Sequence, residues 1–259
     1  MKAFTDAWRN DAVAKVSGKA KYTDDYILPG MLHAVPLHAP VASARLISID
    51  FSEALKLKGV AAVYTAKDIP GNIKFGQIIR DYPTLVNRRI RSTGDVRALV
   101  GAEPGEQALA ALIFIKLELE ELPAIFDPEA ALLQDAPLIN PGHGSNVCNY
   151  HCVRTGNIES GEKEADLIIE QEFNTSRIEH AYLEPESALC QLRPDGVMEV
   201  LGSMQHPFST RRFVASTLGI KLSDVEVKTV PMGGGFGGKD DTAALVCARA
   251  ALCAYLSGK

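Results

Sequence analysis

The stretch PMGGGFGGKDD, Pro231–Asp241, places five glycines and one phenylalanine in six consecutive positions, 233–238, with a lysine and two aspartates behind them. Glycine loses more backbone freedom on ordering than any other residue, so such a concentration needs a reason. Without Cβ atoms, successive N–H groups can close on a ligand and form a nest for an electron-rich group at a helix start. Phe236, alone among the glycines, suits a wall beside a planar substrate better than a wet turn.

Two nucleotide-binding patterns overlap this loop. Gly233, Gly235 and Gly238 fit G-x-G-x-x-G, and Gly233, Gly238 and Lys239 fit most of G-x-x-x-x-G-K-[ST]. The second lacks the hydroxyl that follows the lysine, and Asp240 and Asp241 in its place would repel a triphosphate. The first wants a fully buried strand ahead and an acid about 20 residues behind; here the preceding segment alternates and the chain ends first. A loop that presents backbone amides to something electron-rich is the reading left standing.

Other groupings are weaker. His143, Cys148, His151 and Cys152 crowd together in HGSNVCNYHC, but their spacing is neither C-x2-C nor H-x3-H, and they read as a loop. His180, Glu184 and Glu186 in EHAYLEPE could do acid–base work. The plainer reading is that this segment braces the glycine loop's domain. Arg211 and Arg212 read as a solvated or salt-bridged helix face.

The elements that must position these residues are α+β. Strands are predicted over Leu32–Leu37, Leu46–Ile49 and Val60–Tyr64, with Ser52 capping and Gly59 ending a short helix between the last two. Helix formers run from Glu106 to Leu112, and from Lys116 a period-two alternation predicts a strand with one wet face. The stretch Asp127–Asn146, rich in Pro, Asp, Gly and Asn, reads as a connector. Residues 1–126, a linker over 127–149, and residues 150–259 are the expected divisions.

Beyond the linker, strands are predicted over Ala165–Phe173, Ala188–Leu192, Val197–Leu201 and SDVEVKTV. HPFSTRRFVASTLGI reads as a helix with Pro207 in its first turn, Phe208, Val214 and Leu218 on its buried stripe, and Gly219 as its stop. TAALVCARAALCAYLSGK is a helix apolar nearly all round, so it demands burial, on a surface expected to lie outside this chain. A chain stopping just past the Gly258 cap of so apolar a helix looks cut.

Composition bounds the function. With 259 residues and 46% hydrophobic content the chain can build a sizeable core. A formal charge of −5, with no cluster of Lys and Arg, argues against nucleic acid or anionic lipid as partners. The opening MKAFTDAWRNDAV carries charges where a signal peptide would be apolar, and no uncharged run spans a membrane, so a cytoplasmic protein is expected. Five cysteines, an odd and irregularly spaced set, imply reduced thiols.

GGGFGGK behind a strand, MQHPFSTRRFVASTLGI upstream of it and RIEHAYLEPESAL before that together resemble the molybdenum-binding subunit of the xanthine dehydrogenase/aldehyde oxidase family. The N-terminal GKAKYTDDYILPGMLHAVPLHAPVASARLISIDFSEALKLKGVAAVYTAKDIP is similar to that family's α/β hammerhead domain. The resemblance thus covers nearly the whole chain. It implies an α/β hammerhead domain over 1–126 and the start of a molybdopterin-binding α+β domain over 150–259.

The resemblance also implies residue roles. Gln205 would contact an oxygen ligand of molybdenum through its amide, which can donate. Phe236 would lie near the substrate, Gly237 would turn its N–H toward a metal-bound oxygen, and Gly234, Gly235 and Gly238 would shape the loop around molybdopterin. No side chain would bind the metal directly. Asp240 stands where xanthine-type members have glutamate, one methylene longer, which puts purine selectivity in doubt if it faces substrate.

The family reaction is hydroxylation of an electron-poor carbon in an N-heterocycle or aldehyde, with oxygen from water and a glutamate base. That glutamate lies in a later region, so no catalytic residue is expected here, and the fragment alone is expected to be inactive and to hold cofactor weakly. Electrons would leave through 2Fe-2S clusters and FAD on partner domains or subunits, since this chain has no cluster-like cysteine spacing. The intact enzyme is expected to be a homo-oligomer. A non-catalytic assembly module of the same fold is the alternative reading, with a P-loop nucleotide binder behind it.

Overall fold

A computed structural model describes residues 9–259. They divide into residues 9–122 with His180–Lys259 as one compact unit, and Pro123–Glu179 as a second. The first helix among the described residues is short, α1 (Ala12–Val16). Strands β1 (His33–His38), β2 (Ala44–Asp50) and β3 (Val60–Thr65) follow, then three two-residue strands, β4 (Lys74–Phe75), β5 (Tyr82–Pro83) and β6 (Arg89–Ile90). Next come β7 (Val96–Ala102), α2 (Gly105–Ala111) and β8 (Lys116–Glu121).

β7 is buried along its whole length and is the centre of an antiparallel sheet ordered β1-β7-β3. α2 packs on that sheet through Ala108 and Ala111, which join Val63, Ala98, Val100 and Ile115 in one core. A second antiparallel sheet is ordered β6-β2-β8, and β8 shows the period-two pattern that its Lys-Leu-Glu-Leu-Glu sequence implies. The helix expected between Ser52 and Gly59 is only a single 3₁₀ turn, Ala54–Lys56, whose N-cap position falls to Glu53, while the Ser52 N–H donates to the Asp50 carboxylate.

In the second half of this unit, β9 (Ala188–Leu192) and β10 (Met198–Gly202) form a hairpin across the Arg-Pro-Asp-Gly turn, closed by Arg193 and Val197. Helix α4 (Pro207–Leu218) then carries the chain over to β11 (Val225–Thr229), which runs parallel to β10. Helix α5 (Thr242–Ser257) ends at Gly258 in the left-handed conformation. α3 (Ile158–Glu164) belongs to the other unit.

Three expectations are corrected. Phe208 is 79% exposed, whereas Thr210, Phe213, Val214, Thr217 and Leu218 are buried; position 208 lies six residues from 214, about 240° around the helix, on the opposite side. α5 finds its partner surface within the chain: Ala243, Cys247, Ala248, Ala251 and Leu252 share a core with Met198 and Val200 of β10 and Val214 and Leu218 of α4. In the second unit, Ala165–Phe173 forms no strand, and its residues are exposed. An apolar run such as Leu167–Ile169 is not enough for a strand, which also needs a neighbouring ladder.

The core around α5 includes Val96 and Leu99 of β7 together with Ala66, Ile69 and Leu85 from the connections around the N-terminal strands. Phe75 and Phe213 stack with ring centroids 4.1 Å apart, and the N–H groups of Gly71 and Asn72 bond the carbonyls of Thr217 and Ser216 at the end of α4. The Arg249 Nε on α5 donates to the Thr84 carbonyl at 2.9 Å.

Candidate functional site

The glycine loop leaves the end of β11 and enters α5, and the end of β10 lies beside it. Gly202, the last residue of β10, accepts a hydrogen bond from the Val230 N–H, and the Gln205 N–H donates to the Lys239 carbonyl at 3.0 Å. Met204, 5% exposed, anchors this turn in the core and leaves Gln205 half-buried at the rim. Inside the loop, the Gly238 N–H donates to the Gly235 carbonyl at 2.7 Å.

Gln205 and Gly237 are brought together. The Gly237 N–H, expected to face an oxygen of the metal centre, donates to Gln205 Oε1 at 3.0 Å. An N–H can be met only by the amide's oxygen, so this contact fixes which end of the Gln205 amide is which. Its Nε2 donor is thereby turned away from the loop backbone.

Phe236 has a positive φ of 51°, rare for a bulky residue, and its side chain is 77% exposed. An aromatic ring held on a strained backbone and given to solvent gains nothing for the fold, and such strain clusters at functional positions. Gly237, at φ +94°, has room for a Cβ, whose closest neighbour would be His180 Nε2 at 3.6 Å; the backbone conformation alone requires glycine there.

The other glycines are required by close neighbours. An added Cβ would come within 2.5 Å of Glu184 Cβ at Gly233, 2.9 Å of Tyr182 Cβ at Gly234 and 2.7 Å of Gln205 Oε1 at Gly235, and at Gly238 it would run into the Tyr182 ring. Thus the segment EHAYLEPE does brace the loop. Glu186 accepts a hydrogen bond from the Thr242 hydroxyl at 2.8 Å, at the start of α5.

Glu184 holds the loop most directly. Its Oε2 accepts from the Gly233 N–H, the Ser203 hydroxyl and Lys239 Nζ, each at 2.8 Å, and its own N–H donates to the Gly233 carbonyl. Burial works to raise its pKa, but the hydrogen bonds from Lys239, Gly233 and Ser203 outweigh it and hold the carboxyl below its ordinary range. Glu184 Oε1 is buried without a hydrogen-bond partner.

The Lys239 side chain is fully buried; Nζ also lies 2.9 Å from the Ser203 hydroxyl and 4.9 Å from the centre of the Tyr182 ring. A P-loop lysine must reach out to phosphates, and this one is turned into the protein. Sequence reasoning weighed Lys239 only in that role and left Ser203 out. The signal available was the pair of acids at 184 and 186 upstream of a lone loop lysine.

Asp240 pairs with His206, Nε2 to Oδ1 at 2.7 Å, and both side chains are about half exposed. The residue considered for substrate contact is therefore engaged by the neighbour of Gln205. Arg211 donates to the Val225 carbonyl and Arg212 to the Ser209 hydroxyl. All five cysteines are free thiols: Cys148 and Cys152 are exposed, and Cys190, Cys247 and Cys253 are buried. Among the described residues no group of three or more His, Cys, Asp or Glu side chains is placed to hold a metal ion. No helix among them is long and apolar enough to cross a membrane.

The site fits the metal end of molybdopterin through the Gln205 amide, whose Nε2 is left to donate, with no metal ligand required of the chain; the Gly237 N–H, expected to face a metal-bound oxygen, instead holds the oxygen of that amide. Comparison with known proteins agrees. The family described as "Aldehyde oxidase and xanthine dehydrogenase, a/b hammerhead domain" matches residues 17–123, and "Molybdopterin cofactor-binding domain" matches residues 139–259.

The chain is 37% identical over 232 residues to the nicotinate dehydrogenase large molybdopterin subunit of Eubacterium barkeri, covering 89% of this chain and 54% of that one. It is 36% identical over 244 residues to the xanthine dehydrogenase molybdenum-binding subunit of Escherichia coli O157:H7, covering 90% and 32%. The aldehyde oxidoreductase from Desulfovibrio gigas superposes with a TM-score of 0.86 at 30% identity over 95% of this chain and 29% of that one. Quinoline 2-oxidoreductase from Pseudomonas putida 86 does so with a TM-score of 0.87 at 27% identity, over 98% and 33%. The chain spans about half the length of the first relative and about a third of the others. With two family domains in succession and the loop and turn motifs in place, the chain belongs to the xanthine dehydrogenase/aldehyde oxidase family of molybdenum hydroxylases, carrying its hammerhead domain and, after it, a molybdopterin cofactor-binding domain.

Proposed function

We propose that this chain forms the cradle for the metal end of molybdopterin in an enzyme that hydroxylates a carbon of an N-heterocycle or an aldehyde. The observation that carries the reading is the meeting of Gln205 and the Gly237 N–H at 3.0 Å beside the exposed ring of Phe236. Gln205 Nε2, oriented by that bond, would donate to an electron-rich oxygen of the cofactor, while the Gly237 N–H holds the Gln205 amide in that orientation. Phe236 offers an aromatic wall to a planar substrate. Gly234, Gly235 and Gly238 keep side chains out of the loop so that its amides stay close to the ligand.

When bound, the cofactor supplies the two-electron chemistry by which oxygen from water is placed on carbon. This chain would position the cofactor, and the base that takes the proton would be the glutamate that the family carries in a later region. Electrons pass on to 2Fe-2S and FAD centres carried by partner domains or subunits, in a cytoplasmic homo-oligomer. The division into a hammerhead domain at 1–126, a linker at 127–149 and a cofactor domain from 150 is part of this reading. Asp240, held by His206, is one methylene shorter than the glutamate of xanthine-type members, so purine would be a poor substrate if this side chain faces it.

The test is metal and pterin analysis after expression with molybdate in a host that makes molybdopterin. Carried on the complete molybdenum subunit, this sequence is expected to copurify with molybdenum and pterin in equal amounts, and Gln205→Ala to lower both. The 259-residue chain alone is expected to hold neither stoichiometrically and to show no turnover. A complete subunit with neither component would refute the reading.

A further inference from the structure

We propose that the buried pair Glu184–Lys239 is the positioning lock of the glycine loop, setting the place of the Gly237 amide before any ligand arrives. The proposal rests on the cofactor-cradle reading for its purpose, but not for its test. Four features carry it.

Both ends of the loop converge on one atom. Glu184 Oε2 takes the Gly233 N–H at the loop's entrance and Lys239 Nζ at its exit, each at 2.8 Å. The same oxygen takes the Ser203 hydroxyl, two residues before Gln205, so the turn bearing the amide side chain is tied to the same point. Crowding three donors on Oε2 while Oε1 has none is costly for a merely structural carboxylate, which gains more by spreading its donors.

Lys239 is fully buried, and burying an ammonium is tolerated only with a partner in good geometry. Its backbone carbonyl simultaneously accepts the Gln205 N–H. Side chain and main chain of one residue therefore fix both the loop exit and the turn.

The loop is too poor in side chains to fix itself. Six consecutive positions carry one side chain, and that one, Phe236, is 77% exposed. What rigidity the loop has must come from outside it, and a preorganised amide is worth far more to a ligand than one ordered on binding.

Removing either partner leaves a buried charge, so single substitutions to apolar residues confound loop order with unfolding. Replacing both with apolar residues avoids this. The experiment is amide hydrogen exchange, residue by residue, on the 259-residue chain without cofactor. It compares the native sequence with the double variant Glu184→Leu/Lys239→Met and with the isosteric Glu184→Gln. Gly237 and Gly238 are the reporters, since the Gly237 N–H bonds Gln205 and the Gly238 N–H bonds Gly235, neither of them a mutated side chain.

Exchange at Gly237 and Gly238 is expected to speed up about tenfold or more in the double variant and by a smaller factor in Glu184→Gln, while α4 and α5 keep their protection. Unchanged exchange at both glycines in a folded double variant overturns the proposal. Should the double variant not fold, unchanged exchange in Glu184→Gln overturns it. Because no cofactor is present, a native chain whose loop depends on the pair but whose complete subunit lacks pterin would preserve the lock and refute only the cradle.

Discussion

Gln205 Oε1 and the Gly237 N–H meet at 3.0 Å across 32 residues of sequence, joining the turn after β10 to the loop after β11. The two halves of this contact place different demands on the loop. Gly237 needs its backbone conformation and has room for a methyl; Gly235 needs the space and not the conformation.

Gly237→Ala is therefore expected to destabilise the chain by about 1–2 kcal/mol, the cost of a left-handed L-residue. Gly235→Ala should cost less, because its new methyl meets the movable end of Gln205. It should nevertheless free the Gly237 amide. Urea unfolding reads the first effect and amide exchange at Gly237 the second, and a Gly235→Ala variant with normal protection at Gly237 would contradict this account.

Phe236 is the mirror case. Glycine there removes the left-handed strain at a small entropic cost and exposes no core, so Phe236→Gly is expected to leave stability unchanged or raise it by up to about 1 kcal/mol. Phe236→Val, β-branched, should lower it. Thermal melts of the two variants decide the matter; a clear loss in Phe236→Gly would mean that the ring packs.

Acid should loosen the loop. The Glu184 carboxyl has a lower pKa in the folded chain than its ordinary 4.5, with burial opposing and Lys239, Gly233 and Ser203 prevailing. A group whose folded value is depressed contributes stability that is full above the unfolded value and is lost as pH falls through the folded one. Stability measured by urea from pH 6 downward should thus decline below about 4.5, and Glu184→Gln should flatten part of that decline. Equal slopes in the two proteins would remove Glu184 from the explanation.

The thiols should react in two classes. Burial pushes Cys247 and Cys253 up to about 12, and Cys190 well above its ordinary value, while Cys148 and Cys152 are exposed. At pH 8 a thiol reagent is expected to modify two cysteines rapidly in the native chain and all five after denaturation. Fast labelling of Cys247 or Cys253 would show that α5 opens.

Much of the fold could be read in advance. Ala188–Leu192, Pro207, Gly219 and Gly258 are where local chemistry decides: a short apolar run ahead of a turn, a residue without an N–H at a helix start, glycine at a helix stop. Gln205, Phe236 and Gly237 were legible through the resemblance of their motifs, and the structure sets them side by side. The rest depended on distance along the chain. Glu184 and Lys239 are 55 residues apart, and no local pattern says that they meet. Ser203 is one serine among many, and the His206–Asp240 pair joins a helix start to a loop end. Phe208 was misplaced by counting an apolar residue as a buried one, and Ala165–Phe173 by taking an apolar run for a paired strand.

Leu85, Val96 and Leu99 lie in the same core as Val200, Val214 and Ala248, with no apolar seam between the N-terminal sheets and the α4–α5 layer. Heat has no place to part them. A calorimeter should record their loss as one endotherm, and a cavity cut at Leu85 should drag down the melting of a loop nearly 150 residues further along the chain, though the two never touch.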